Sequence, residues 1–282
     1  MKVLVIGGTG LIGKDVCVKL QNAGHEVIVG SPSRGVDILT GEGLEEALAG
    51  TAVVIDLSNS QSPDGETALH FFGTAGKNLV AAEKIANVKH HLILSIVGVP
   101  LAQHIGYLQA KKLQEDTIAT SGIPYTIIRS TQFHEHISTI IDVQSEGKAV
   151  HVSTVDYQPI AVADVVSYVV KFALEEPKNG IVEIAGPDRG RMNEFVKSYL
   201  DEKPEEKVVV ANDDNKYMFF EIPRGLLVPA GDFHPGKSGL MTGKSPHKPD
   251  DCGQYRATGS ISPCCPIPCP AARLTCTPSA PR

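Results

Sequence analysis

A cluster of glycines near the start of the chain constrains its fold more than any other feature. Four apolar residues at positions 3–6 lead directly into GGTGLIG, and a helical pattern follows. Here Gly7 permits a tight turn, Gly10 lets backbone amides approach an anion, and Gly13 lets the helix pack closely on the strand. Because a helix N-terminus favours negative charge, the motif predicts a pyrophosphate site rather than an ordinary glycine-rich loop. The residues predicted to form it are Gly7, Thr9, Gly10, Leu11, Ile12 and Gly13.

Short β-branched runs alternate with helical patterns through the first half of the chain. The runs occupy residues 3–6, 27–29, 53–57, 92–97 and 125–129, and helical patterns occupy 11–23, 44–48, 66–86, 103–120 and 132–145. This order predicts an α/β fold with a Rossmann-type, doubly wound parallel sheet. After residue 145 the pattern loosens into a smaller α+β lobe. We therefore predict a nucleotide-binding domain at 1–148, a C-terminal substrate lobe at 149–235 and a separate tail at 236–282.

The composition excludes several classes of protein. Hydrophobic residues make up 42% of the chain, and no apolar run approaches the ~18 residues that cross a bilayer. Net charge is −6, and residues 1–235 carry −10 because the tail has six Lys/Arg against two Asp/Glu. An acidic body is a poor match for a nucleic-acid backbone. We expect a cytoplasmic monomer or homodimer that acts on a small molecule and binds neither nucleic acid nor membrane.

The tail differs from the rest of the chain in composition. Ten of the nineteen prolines follow Val228, and five of the six cysteines lie late in the chain: Cys252, Cys264, Cys265, Cys269 and Cys276. Three interpretations stay open, namely a disordered segment, a zinc or disulfide module, and a change of reading frame or a cloning junction near Gly236. Outside the tail we expect no metal site, because His134 and His136, two residues apart, diverge on a helix.

The end of the second predicted strand bears on which dinucleotide is bound. NAD sites place an acidic residue there, whereas NADP sites place Arg or small hydroxyl residues around the extra phosphate. This chain has Ser31, Ser33 and Arg34, with no acidic residue before Asp37. We predict that these four residues border the cofactor and that NADP(H) is bound, with NAD(H) as the alternative.

A possible proton-transfer group follows the fourth predicted strand. Ser95 lies near the strand end, and Tyr107 and Lys111 share one face of the next helix. An ammonium beside a phenol stabilises phenolate, so the pair could donate a proton to a carbonyl oxygen that Ser95 orients. The same spacing recurs at Tyr199 and Lys203, where no strand-end serine precedes it. The alternative interpretation of Tyr107 is a surface aromatic.

The chain resembles the atypical short-chain dehydrogenase/reductase proteins, in particular their NmrA-like NAD(P)H-binding branch. The resemblance rests on GGTGLIG, on LSIVG at 94–98, on YLQAK at 107–111 and on GIPYTIIRSTQF at 122–133. It extends over about residues 1–235, through PIAVADV at 159–165 and AGP at 185–187. It implies a Rossmann fold that binds NADP(H) or NAD(H), with a substrate cleft between the sheet and the C-terminal lobe.

The resemblance also assigns roles to residues. Ser95, Tyr107 and Lys111 would be the catalytic triad, with Ser95 and Lys111 also beside the cofactor. Leu57, Ser58 and Asn59 would border the cofactor after the third strand. Thr131, Gln132 and Phe133 would form the loop beside the nicotinamide and contact the substrate. Apart from the resemblance, Phe71 and Phe133 are candidates for the wall of an apolar substrate pocket, with core packing as the alternative. Some members of the branch lack the tyrosine and act as redox sensors. The tyrosine here favours an NADP-dependent reductase of a small apolar carbonyl or quinone-like substrate, with a non-catalytic NADP(H) sensor as the alternative.

Overall fold

The computed structural model describes residues 1–62, 64–204 and 206–240. The cysteines of the tail, and with them the zinc, disulfide and disorder interpretations, lie outside these residues. The strands are β1 (Lys2–Ile6), β2 (Glu26–Gly30), β3 (Val53–Asp56), β4 (His90–Ile96), β5 (Tyr125–Ser130), β6 (Ser145–Glu146), β7 (Ala149–Ser153), β8 (Asp156–Tyr157), β9 (Gly180–Ala185), β10 (Gly190–Arg191), β11 (Val208–Asn212), β12 (Lys216–Tyr217), β13 (Phe220–Glu221) and β14 (His234–Pro235).

The helices follow the predicted patterns closely. They are α1 (Leu11–Asn22), α2 (Leu44–Leu48), α3 (Gly65–Ala86), α4 (Gly106–Ala119), α5 (Ile137–Gln144), α6 (Val162–Leu174) and α7 (Met192–Asp201). Within the described residues, none of these helices is long and apolar enough to cross a membrane.

The main sheet is parallel throughout, in the order β14-β9-β5-β4-β3-β1-β2. The chain runs outward from β1 to β2 and then returns to the other side of β1 to form β3. This reversal creates a switch point between β1 and β3, where ligands of open α/β sheets bind at the carboxyl edge. The predicted Rossmann-type sheet is confirmed.

Helices cover both faces of this sheet, and the two-residue period of a strand divides the core between them. Val3 and Val5 pack with α1 and α6, whereas Leu4 and Ile6 pack with α2 and α3. All four side chains are at most 3% exposed. Burial on both faces explains why the strands are apolar at nearly every position.

The C-terminal third contributes to two structures. The strands β6, β7 and β11 form a small sheet packed against α5 and α7, next to the carboxyl edge. However, α6 packs on α1, and β9 and β14 extend the main sheet beside β5. Part of the segment 149–235 therefore extends the main sheet, because β9 pairs with β5.

The end of the described chain is attached to the same sheet. Asp164 Oδ2 accepts hydrogen bonds from the backbone N–H groups of Lys237 and Ser238, at 2.9 and 2.8 Å. From sequence, Asp164 is expected as the N-cap of its helix. That expectation is wrong, since α6 begins at Val162 with Ala161 as its N-cap. The carboxylate instead anchors the chain that follows β14.

Candidate active site

The glycine loop lies at the switch point, and its shape depends on missing side chains. Gly7 has a φ of +73°, and a Cβ there would lie 2.7 Å from the carbonyl oxygen of Leu57. A Cβ on Gly13 would overlap the carbonyl oxygen of Gly7. Helix α1 begins at Leu11, and its N-cap residue, Gly10, has no side chain to satisfy the first N–H groups. The loop therefore offers an anion a close backbone approach and open donors, which suits a dinucleotide pyrophosphate.

Small hydroxyl residues and an arginine gather where β2 ends. Ser31 and Ser33 are joined by a hydrogen bond of 3.0 Å between their hydroxyl oxygens. A 3-10 turn at Pro32–Arg34 follows, and Arg34 is exposed. Asp37 lies beyond this turn, where its Oδ1 accepts the backbone N–H of Leu39 at 2.7 Å. The first three predicted residues thus lie together, while the carboxylate of Asp37 stabilises a local turn.

The loop after β3 connects the cofactor edge to α4. Ser58 N donates to Asp56 Oδ1 at 2.9 Å, and Asn59 Oδ1 accepts the hydroxyl of Tyr107 at 2.6 Å. The hydroxyl oxygen of Ser58 is buried and has no hydrogen-bond partner among the described residues. An orphaned buried hydroxyl in this loop fits a polar ligand there, since such groups are nearly always bonded.

Tyr107 reaches this loop because two helices begin almost in contact. A Cβ on either Gly65 or Gly106 would lie 2.7 Å from the Cα of the other. The ring of Tyr107 packs edge-on against Phe72, with centroids 6.3 Å apart, and only 4% of the residue is exposed. This placement brings the phenol to the carboxyl edge of the sheet.

Lys111 lies one turn further along α4, on the same buried face. Its Nζ donates to the carbonyl oxygen of Leu94 at 2.9 Å and to Gln114, and it sits 4.7 Å from the centroid of the Phe72 ring. Burial lowers the pKa of Lys111 to about 8, although the charges of Asp56 and Glu115 oppose that shift. The structure thus brings the predicted Tyr–Lys pair together, with Phe72 against both side chains.

The structure does not bring Ser95 to this pair. Its hydroxyl donates a hydrogen bond to Glu115 Oε1 at 2.6 Å. The Glu115 carboxylate also accepts hydrogen bonds from Nε and Nη2 of Arg129, at 2.9 and 2.6 Å. Glu115 is eight residues beyond Tyr107, about 12 Å along the helix. Ser95 is the penultimate residue of β4, near the strand end as predicted, but its side chain does not contact the pair. Its proton is therefore directed at a buried carboxylate.

The residues expected at the substrate are divided between two places. Phe71 is half-buried and meets Phe72 edge-on, with centroids 5.1 Å apart, so it lies near Tyr107. Phe133 is 5% exposed and packs in the core with Ile160. Gln132 accepts the hydroxyl of Tyr217 at 3.4 Å.

Thr131, like Ser58, has a buried hydroxyl group. It is 1% exposed, and its hydroxyl has no hydrogen-bond partner within the described chain. It immediately follows β5, the neighbour of β4, so it is at the same edge of the sheet as the Leu57–Asn59 loop. Both loops therefore carry a buried hydroxyl that a cofactor or substrate could satisfy.

Sequence reasoning missed the polar groups beneath the pair, namely the buried Asp56, Gln114 and Glu115 and the half-buried Arg129. Gln114 and Glu115 follow Tyr107 by seven and eight residues, so they share its helix face. Polar residues on a face that is otherwise buried were the available signal. Among the described residues, no group of three or more His, Cys, Asp or Glu could hold a metal ion. His134 Nε2 donates to the carbonyl oxygen of Pro159 at 2.9 Å.

Comparison with known proteins identifies a family for this chain. A family model described as NAD(P)H-binding matches residues 7–176, more than half of the chain. The photosystem II assembly factor Ycf39 of Trieres chinensis is 29% identical over 149 residues, which are 48% of this chain and 47% of that protein. The (4-alkanoyl-5-oxo-2,5-dihydrofuran-3-yl)methyl phosphate reductase of Streptomyces griseus is 27% identical over 145 residues, 46% of this chain and 48% of that one.

The similarity to solved structures extends further. The dTDP-4-dehydrorhamnose reductase of Bacillus anthracis, solved with NADP, superposes with a TM-score of 0.64 at 13% identity, covering 86% of this chain and 91% of that one. Such a distant likeness shows a shared fold. The chain spans about half the length of the curated relatives it matches.

Proposed function

Because the chain belongs to the NAD(P)H-binding family, we propose that it is an NADP-dependent oxidoreductase. In this proposal it is a reductase of the atypical short-chain dehydrogenase/reductase type, acting on a small apolar carbonyl or quinone-like substrate. The observation that carries the proposal is the Tyr107 phenol at the carboxyl edge of the sheet. Its oxygen is hydrogen-bonded to the β3 loop, and Lys111 lies one helix turn away.

The residues present fit a dinucleotide. The cradle of Gly7, Gly10 and Gly13 suits the pyrophosphate, and the orphaned hydroxyls of Ser58 and Thr131 offer further hydrogen bonds. When bound, NADPH supplies the hydride that reduces the carbonyl carbon and becomes NADP⁺. Ser31, Ser33 and Arg34 suit the 2′-phosphate, because a guanidinium and hydroxyl groups can form charge-assisted hydrogen bonds with it. This arrangement supports NADP(H) over NAD(H).

Tyr107 would deliver the proton that balances the hydride. Its hydroxyl gives a proton to the substrate oxygen, and the resulting phenolate recovers one from solvent. Lys111 stabilises that phenolate as a cation, which favours proton release near neutral pH. To donate, Tyr107 must exchange its hydrogen bond with Asn59 for one with the substrate. The Ser95–Glu115 contact does not support the role of carbonyl orienter expected for Ser95.

The surroundings of the phenol support an apolar substrate. Tyr107 belongs to a buried cluster with Phe72, Ile105, Leu226 and Leu227, and Phe71 packs at its border. Apolar surroundings of this kind suit a flat or aliphatic carbonyl compound, since apolar contacts give most of the affinity and one polar group sets the orientation.

The test is consumption of cofactor. Purified protein is mixed with NADPH or NADH, and absorbance at the nicotinamide band is followed against a panel of apolar ketones, aldehydes and quinones. We expect NADPH oxidation with at least one acceptor, and slower oxidation of NADH. Binding of NADPH without oxidation by any acceptor would overturn the catalytic proposal.

A non-catalytic NADP(H) sensor is the second candidate. It is favoured by the relative from Trieres chinensis, whose name describes an assembly factor rather than an enzyme. A sensor would bind NADPH with a large stabilisation against thermal unfolding and leave it unconsumed. Comparing the thermal shift with the turnover in one preparation separates the two functions.

A further inference from the structure

A buried glutamine connects two charged groups beneath the Tyr–Lys pair. Gln114 Nε2 donates to Asp56 Oδ2 at 2.8 Å, and Gln114 Oε1 accepts from Lys111 Nζ. The three residues are 5% exposed or less. A side-chain amide suits this position, because it presents a donor to the carboxylate and an acceptor to the ammonium at once.

The same carboxylate also supports the loop that contacts Tyr107. Asp56 Oδ1 accepts the backbone N–H of Ser58, and the next residue, Asn59, accepts the Tyr107 hydroxyl. The contacts therefore form a closed path from Lys111 through Gln114 and Asp56 to the β3 loop, and from that loop back to Tyr107 on α4. Every group on this path is anchored to β3 or α4.

We infer that Gln114 is a positioning residue. Its amide holds the Lys111 ammonium near the Asp56 carboxylate and fixes Lys111 relative to the loop that carries Asn59. The catalytic consequence rests on the proposed function, whereas the effect on Lys111 does not require it. Gln114 is hydrogen-bonded to Lys111 and Asp56, so it acts through these two partners.

The groups around Lys111 define what the amide controls. Asp56 on β3 and Glu115 on α4 are the charged groups that raise the pKa of Lys111 against burial. The Phe72 ring of α3 and the Leu94 carbonyl of β4 complete its surroundings. Glu115 is itself bound to Arg129, so Asp56, linked through Gln114, is the carboxylate most available to Lys111.

Two substitutions should move the titration of Lys111 in opposite directions. Gln114→Met keeps the length of the side chain but removes both hydrogen bonds, so the ammonium loses an acceptor and its pKa falls. Gln114→Glu adds a carboxylate to Asp56 and Glu115 around Lys111, and its repulsion of Asp56 is relieved by the ammonium, so the pKa of Lys111 rises. We expect each midpoint to move by about one pH unit. A loss of packing alone would not reverse sign between the two variants.

The experiment is a pH titration of the cofactor-free protein by NMR, following the ¹³Cε signals of labelled lysines, with Lys111→Arg to assign the signal. Gln109→Met, on the exposed face of α4, is the matched control and should leave the midpoint in place. Circular dichroism checks that each variant is folded. If Gln114→Met does not fold, the shift of the Lys111 midpoint in Gln114→Glu tests the inference by itself.

The pH profile of kcat for NADPH oxidation gives a second readout, and its alkaline limb should move with the Lys111 midpoint. An unmoved midpoint in a folded Gln114→Glu variant would overturn the inference. A wild-type protein that titrates as expected but never oxidises NADPH would instead overturn the proposed function and leave the positioning role intact.

Discussion

The hydroxyl of Tyr107 donates a hydrogen bond of 2.6 Å to Asn59 Oδ1, and this contact joins α4 to the loop after β3. The two residues are 48 positions apart in the chain. Asn59 lies in the loop that follows β3, and Tyr107 lies at the start of α4, beside the carboxyl edge of the main sheet. Under the proposed function, the bond holds the phenol at the edge of the sheet where the substrate oxygen would receive its proton.

Replacing Tyr107 with Phe should remove turnover and spare the fold. The ring still packs on Phe72, but the proton donor is gone, so we expect kcat to fall by about 10²- to 10⁴-fold. The Kd for NADPH should change little. Stopped-flow oxidation of NADPH and fluorescence titration measure the two quantities. Tyr199→Phe, in the other Tyr–x–x–x–Lys pair, is the control and should retain full activity.

Replacing Ser95 with Ala separates its observed contact from its predicted role. The hydroxyl donates to the buried carboxylate of Glu115, and loss of such a charge-assisted bond should lower the free energy of unfolding by ~1.5–3 kcal/mol. Turnover should fall far less than in Tyr107→Phe. Urea unfolding and kcat are measured on one preparation. A fall in kcat as large as that of Tyr107→Phe, at unchanged stability, would restore Ser95 to the site.

Replacing Arg34 with Ala should weaken NADPH selectively. If the guanidinium binds the 2′-phosphate, its removal costs ~1.5–3 kcal/mol and raises the Kd for NADPH by about 10- to 100-fold. The Kd for NADH should stay the same, because NADH lacks that phosphate. Isothermal titration calorimetry measures both. Arg224→Ala, an exposed arginine bound to Asp213, is the control. Equal weakening of both nucleotides would contradict the assignment.

Replacing Gly13 with Ala should damage both the fold and the cofactor site. The new Cβ would overlap the Gly7 carbonyl oxygen, so α1 must move away from the loop. We expect a loss of ~1–3 kcal/mol in the free energy of unfolding and a smaller thermal stabilisation by NADPH. At Gly225 a Cβ meets no atom within 4 Å, so Gly225→Ala is the matched control. Equal Tm values for the two variants would show that the loop tolerates the added methyl.

Replacing Glu83 with Gln should destabilise the protein in a pH-dependent way. His91 Nδ1 lies 2.7 Å from Glu83 Oε1, and both side chains are fully buried. Burial disfavours the imidazolium, but the charge and hydrogen bond of Glu83 outweigh it and raise the pKa of His91. A raised pKa contributes stability that is complete below the unfolded value of about 6.5 and is lost as pH rises through the folded value.

The cost of Glu83→Gln should therefore be largest below pH 6.5 and shrink as pH rises. We expect ~3 kcal/mol at its largest, the lower end for breaking a buried pair, because the amide can still bond a neutral imidazole. Burial lowers the pKa of the neighbouring His90 to about 4, with the charges of His91 and Lys178 adding to the shift, so His90 stays neutral in the wild-type protein above pH 5.5. Denaturant unfolding from pH 5.5 to 9 measures the difference. Glu146→Gln, beside the exposed His151, should show little change, and a pH-independent cost for Glu83→Gln would contradict the linkage.

Local sequence pattern was sufficient to predict the fold and the position of the glycine loop. The strand and helix periodicities, with GGTGLIG at residue 7, gave the Rossmann-type sheet, since each signal depends on neighbours a few residues apart. The Tyr107–Lys111 pair was also predictable, because a spacing of four places two side chains on one helix face. The pairing of β9 with β5 could not be predicted from local pattern, since it depends on which distant strand meets an open edge of the sheet.

The sequence by itself determined the order of elements, the glycine cradle and the helix face of the pair, because all three follow from local backbone geometry. Only the tertiary structure decided which buried polar groups meet. Ser95 is bound to Glu115, 20 residues away, and Gln114 to Asp56, 58 residues away. Those contacts depend on how α4 is rotated against β3 and β4. The packing of Phe72 and its neighbours sets this rotation, and no local pattern specifies it.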